Sequence, residues 1–160
     1  MNKKRFLIIL FVIVIGFIPL HIWAQQPRTL AEIMKGSVSV EKFYTRCKTM
    51  ENGEFDVRSL KVRNPEGIAD IWSILEETEV TSMRWEPYTS KGFQDGDVWY
   101  EVEEIQNLHW VQIMNSGKVH AHTPLISYIY PLDTIYTISD AEWQECTVAL
   151  EEVMQKYGEE

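Results

Sequence analysis

The chain has no P-loop, no GxSxG elbow, no GxGxxG fingerprint and no HExxH helix. Each absence removes an enzyme class whose chemistry needs that backbone cradle or that ligand pair. Cysteine is scarce: Cys47 and Cys146 stand alone, with no CxxC and no Cys/His spacing of a zinc site. Positive charge is scarce too, with fifteen Lys and Arg against twenty-four Asp and Glu. No nucleic-acid partner is expected, because phosphate binding needs clustered Lys and Arg. Repeats, low-complexity tracts and interior linkers are also missing, which points to one domain. No cofactor is implied.

The one long apolar run lies at the beginning. Lys3-Lys4-Arg5 is a basic head, Phe6 to Phe17 is uninterrupted, and Pro19 to Ala24 closes the segment. This is the three-part layout of a secretory signal peptide, with an apolar stretch of the expected length of about 7–15 residues. Pro19 is expected to break the helix ahead of the cut. Ala24 is the small residue required before the scissile bond, so residues 1–24 form the leader and 25–160 a single domain. Ile22 is larger than is usual three residues back. The alternative is an uncleaved anchor over Phe6–Trp23, the only contact with a membrane that the chain would then have. Either way the remainder faces outward, extracytoplasmic and secreted or anchored. No cysteine follows the run to carry a lipid.

The leader holds three of the basic residues and none of the acidic ones, which leaves twelve basic against twenty-four acidic residues beyond it, a formal charge of −12. Such a surface favours solubility, and it suits a basic partner protein, a cation or a neutral ligand. Both cysteines lie beyond the leader. An oxidising compartment permits a Cys47–Cys146 disulfide, worth up to about 4–5 kcal/mol for so long a loop. The alternative is two separate thiols acting as small apolar residues, and Cys146 does fall on the apolar face of a predicted helix.

Periodicity then orders the chain. Arg28–Lys35 predicts a short helix with Leu30, Ile33 and Met34 on one stripe. Strands follow near Val40–Arg46 and Val57–Val62, joined by the turn Glu51-Asn52-Gly53-Glu54. Asn64-Pro65 opens a helix, with Asn64 as cap and Pro65 at its first position, and Ile68, Ile71, Trp72 and Leu75 make its buried face. Val80–Trp85 is a strand, and Glu86–Gly96 a loop. Three strands come in succession over Val98–Ile105, Leu108–Met114 and Lys118–Thr123, a meander. Ile126–Ile138, interrupted by Pro131, predicts short edge strands. Ser139-Asp140-Ala141-Glu142 is a capping box, in which Glu142 is expected to reach back to the Ser139 N–H. The helix that follows buries Trp143, Cys146, Leu150, Val153 and Tyr157 and ends at Gly158. The class is α+β: an antiparallel sheet of about five to six strands with helices on one face and the C-terminal helix capping the core.

This order, with Leu30-Ala31-Glu32-Ile33-Met34 ahead of the first strand and Ile135-Tyr136-Thr137-Ile138 ahead of the last helix, resembles small exported α+β domains of unknown function from Gram-positive bacteria. The resemblance rests on element order and implies an extracytoplasmic domain with no assigned activity. It carries no functional residue over to this chain.

The turns also predict a register. Gly117 in the left-handed position of a three-residue loop pairs Met114 with Lys118, Ile113 with Val119 and Val111 with Ala121. A two-residue Gln106-Asn107 loop pairs Val102 with Val111 and Tyr100 with Ile113. These residues form one apolar face. The opposite face carries Trp99, Glu101, Glu103, Trp110, Gln112, His120 and His122, with Glu103–Trp110–His122 in one row and Glu101–Gln112–His120 in the next. His109 has the other parity and lies opposite Glu104.

This outer face is the candidate binding surface. Exposed Trp99 and Trp110 would suit a protein or a cell-wall glycan. The contrary expectation is that Arg28–Lys35 or Ile126–Ile138 folds over both rings. A metal-dependent or hydrolytic enzyme built on His120, His122, Glu101 and Glu103 is a second reading. It lacks a nucleophile and an oxyanion hole, and a whole strand separates Glu101 from His120, so neither a metal site nor a catalytic residue is assigned. A third reading is an inhibitor or immunity protein whose acidic surface meets a basic enzyme. The leader assignment is checked by intact mass: the exported product is expected to begin at Gln25, and a product retaining Met1 would establish the anchor instead.

Overall fold

A computed structural model describes residues 3–34, 42–87, 94–104, 109–122 and 132–159. Its described strands form a single eight-stranded sheet, and its class is α+β. Helix α1 covers Lys3–Gln25, and strand β1 is only Arg28–Thr29. A single helical turn, α2, follows over Leu30–Ile33. The hairpin of β2 (Phe43–Glu51) and β3 (Glu54–Val62) precedes helix α3 (Pro65–Glu77) and strand β4 (Glu79–Pro87). Strands β5 (Val98–Glu104), β6 (His109–Met114), β7 (Lys118–His122) and β8 (Leu132–Thr137) lead to helix α4 (Asp140–Tyr157). The sheet order is β1-β4-β8-β7-β6-β5-β2-β3.

Local chemistry explains most boundaries. Asn52 and Gly53 both take positive φ, 54° and 78°, which is what a two-residue hairpin turn demands. Asn64 caps α3 by accepting from the Glu66 N–H at 2.8 Å and the Gly67 N–H at 3.4 Å. Gly117 takes the left-handed φ of +75°. The registers Val102–Val111, Tyr100–Ile113, Ile113–Val119 and Val111–Ala121 are those inferred from the turns. The apolar face packs under α2, α3 and α4. Phe43, Val62, Ile71, Leu75, Val102, Val111, Ile113, Val119 and Leu150 are all buried there, and Trp72 meets Phe43 edge-on at 5.5 Å. Glu104 is fully buried on this same face, directly opposite His109.

Several expectations need correction. The sheet has eight strands, not five or six, because β1, β4 and the β2–β3 hairpin all join the meander. Ile126–Pro131 lies outside the described residues, and Leu132–Thr137 is an interior strand between β7 and β4, not an edge. Pro19 does not end α1, which continues to Gln25. Pro19 removes one hydrogen bond from a ladder that its neighbours still hold. In place of the expected helix over Arg28–Lys35, of which Lys35 lies outside the described residues, Arg28–Ile33 is a two-residue strand plus one turn, since Arg28 and Thr29 pair with Val80 and Glu79 before the helix begins. Thr29 caps that turn in a full capping box with Glu32. At α4 the box is half made: the Ser139 hydroxyl accepts from the Glu142 N–H at 3.2 Å, but the Glu142 carboxylate accepts from the Glu79 N–H.

The Cys47–Cys146 disulfide is absent, and both thiols are free. Each has its own surroundings. Cys47 lies between Arg58 and Tyr100 on neighbouring strands. Cys146 sits on α4 beside Thr78, and burial pushes its thiol up to about 11. Tyr100, next to Cys47, bonds to Glu151 of the same helix, five residues beyond Cys146, or about 7.5 Å along the axis.

Two outcomes follow. The melting temperature is expected to be the same with and without reductant to within about 1 °C, since no bond closes the chain. Gly67→Ala is expected to destabilise, because an added Cβ would meet Val62 Cγ1 at 2.7 Å and Tyr157 Cδ2 at 2.9 Å. Overpacking of about 1–3 kcal/mol outweighs the gain in helix propensity of about 1 kcal/mol, and urea unfolding measures the difference.

Candidate functional site

Among the described residues, α2, α3 and α4 leave the other face of the sheet to a different set of side chains. Strand pairing lays them out in rows. Lys61, Tyr44, Glu103, Trp110 and His122 lie across β3-β2-β5-β6-β7. Ser59, Arg46, Glu101, Gln112, His120, Ile135 and Arg84 form the next row, continued through β8 to β4. Val57, Lys48, Trp99 and Met114 form a third. Neighbouring strands stand about 4.8 Å apart, so side chains in one row touch.

The centre of this face is a charged network around Glu101, which is only 8% exposed. Arg46 bonds to Glu101 and, at 2.7 Å, to Glu103. Lys48 Nζ reaches Glu101 Oε2 at 2.9 Å, and Gln112 Nε2 donates to the same oxygen at 3.0 Å. Burial pushes the Glu101 carboxyl upward, but the bonds from Gln112 and Lys48, the Lys48 charge and the Arg46 bond outweigh it. The net direction is down, and Glu101 stays ionised. Tyr44 lies between two cations, with Arg46 5.6 Å and Lys61 5.4 Å from its ring.

Trp99 is not an exposed platform, as the sequence suggested: it is 2% exposed. Phe55 meets it edge-on at 5.7 Å, and Lys48 Nζ lies 5.9 Å over its ring. The β2–β3 hairpin thus supplies cover that was expected from Arg28–Lys35 or from Ile126–Ile138. Ile135, opposite His120, is buried as well. Trp110, Gln112, His120 and Glu103 are half-buried. The His122 and His109 side chains lie outside the described residues.

The structure therefore brings Glu101, Glu103, Gln112, His120 and Trp110 together in the expected rows. Gln112 stands between Glu101 and His120. Among the described residues no group of three or more His, Cys, Asp or Glu side chains is placed to hold a metal ion. Sequence reasoning missed Tyr44, Arg46 and Lys48. Their alternation against Phe43, Thr45 and Cys47 marked one face of a strand, but the pairing of that strand with β5 spans more than fifty residues. No local pattern reports such a contact.

The network sets a pH dependence. A carboxylate whose native pKa is lowered stabilises the fold fully above its ordinary range, near about 4.3. That contribution is lost as pH falls through the lowered native value. Glu101→Gln is expected to remove this part of the acid limb in a stability-versus-pH series. Near neutrality it should cost about 1–3 kcal/mol, because Arg46 and Lys48 lose their shared acceptor. Compared with known proteins, the chain matches no family model, no curated protein and no solved structure.

Proposed function

We propose that this chain is an exported, non-catalytic domain that works by binding a protein partner through the outer face of the sheet. The observation that carries this reading is the placement of Tyr44, Arg46 and Trp110. All three are half-buried, and they lie in adjacent rows on strands that the Glu101 network locks together. Tyr, Arg and Trp are the residue types that dominate the energetics of protein interfaces. Held rigid before contact, they lose little side-chain entropy on binding. Their polar neighbours Glu103, Gln112 and His120 suit the rim of such a site.

Export is part of the proposal and rests on the basic head and apolar run of residues 3–24. Among the described residues no helix is long and apolar enough to cross a membrane.

A second reading has its own observation. Helices α3 and α4 together carry nine carboxylate residues and one lysine, Lys156. Fold topology thus gathers nine of the chain's twenty-four acidic residues in the helical layer, away from Arg46 and Lys48. A basic enzyme approaching that layer would be steered by charge and released by salt.

A photo-cross-linking residue separates the two. Placed at Gln112 on exported chain in its native setting, it is expected to capture one protein species that Trp110→Ala loses. Placed at Val148, an exposed position on α4, it should capture nothing. Capture at Val148 alone would transfer the function to the acidic layer. Co-sedimentation with purified insoluble cell wall, lost in Trp110→Ala, would make the ligand a glycan and reject the protein reading.

A further inference from the structure

The terminal strand of the sheet points to a second copy of this chain. Strand β3 stands at the end of the order, and Glu54 to Ser59 are exposed over six consecutive residues. The chain itself shows which way its edge faces. At Lys61 the N–H donates to the Glu159 carbonyl at 2.8 Å, and the Glu159 N–H donates back to Lys61 at 2.9 Å. Lys61 therefore turns its backbone groups away from β2. By alternation Val57 and Ser59 do the same, while Asp56 and Arg58 bond to β2. Among the described residues, no strand pairs with Val57 or Ser59 on that side.

We propose that two copies of the chain pair antiparallel through β3, about a two-fold axis at Val57. Such pairing keeps each face of the sheet continuous only if partner positions have the same parity, because a one-residue slip turns every side chain over. Charge then selects among the permitted registers. With the axis at Val57, Asp56 of each copy lies opposite Arg58 of the other, in the wide pairs where side chains come closest. An axis at Phe55 sets Glu54 against Asp56 twice. An axis at Asp56 or at Arg58 sets that charge against its own copy. An axis at Ser59 needs the backbone of Lys61, which Glu159 already holds.

The composition of the strand supports the same occupant. Glu54 and Asp56 balance Arg58 and Lys61, so β3 is neutral in a chain of formal charge −9. Two copies meet there with little of the repulsion their acidic helices would impose. Val57, 48% exposed, would be covered by its own copy at the axis. The Lys61–Glu159 bridge marks where the docking edge stops.

Sedimentation velocity on the exported chain tests the pairing. A reversible dimer is expected over about 1–200 µM, the range suited to a small interface. Val57→Pro should leave a folded monomer, since the lost N–H faces the edge and not β2. Asp56→Arg should weaken association by about tenfold or more, while Asp56→Glu should keep it; Arg58 is left in place because it also bonds to Glu151. Val57→Cys gives an independent readout. Residues paired across the axis stand about 5.5 Å apart, within disulfide reach, so air oxidation should yield a covalent dimer that neither Ser59→Cys nor the native chain forms. A monomer at all concentrations with no Val57→Cys dimer would overturn the proposal, and so would a dimer indifferent to Val57→Pro.

Discussion

The pairing of β2 with β5 is the constraint on which the rest of the structure depends. It joins an N-terminal hairpin to a meander far along the chain, with Phe43 to Thr49 opposite Glu104 to Val98. That register commits the parity of both units at once. Thr45 meets Val102 under the helices, and Arg46 meets Glu101 on the opposite side. A slip of one residue would bury Arg46 and Lys48 under α3 and α4 and expose Phe43, a cost of several kcal/mol for each stranded charge. The two faces of the sheet are thus specified together, one by apolar burial and the other by ion pairing.

The two faces hold by different forces, and that difference shapes what the protein can do. The helix-covered side is a packed and largely apolar layer. The opposite side is held by directional contacts among Arg46, Lys48, Glu101, Glu103 and Gln112. Such contacts add modestly to stability when partly solvated, but they fix side chains in place. A face that is ordered, polar and aromatic at once is the surface on which the proposed binding rests.

Much of this was legible in the chain. The meander's alternation, Gly117 in its turn and the Asn64-Pro65 helix start each act over a few residues, and each appears as read. The misreadings share a cause. Trp99 points to the outer face as its parity requires, yet Phe55 and Lys48 cover it. Glu142 has the spacing of a capping box, yet its carboxylate bonds to Glu79. Cys47 and Cys146 were a plausible pair by count alone, and the fold gives each a different neighbour.

The amino-acid order by itself determined the side on which each strand residue projects, the places where the chain turns, and the helix stripes that seek burial. Those follow from backbone geometry and the period of the pattern. Only the tertiary structure decided which projecting groups meet water, which carboxylate receives Arg46 and Lys48, and which strand is left at the end of the sheet. Exposure and partnership depend on segments brought together from far along the chain, and no local period encodes that encounter.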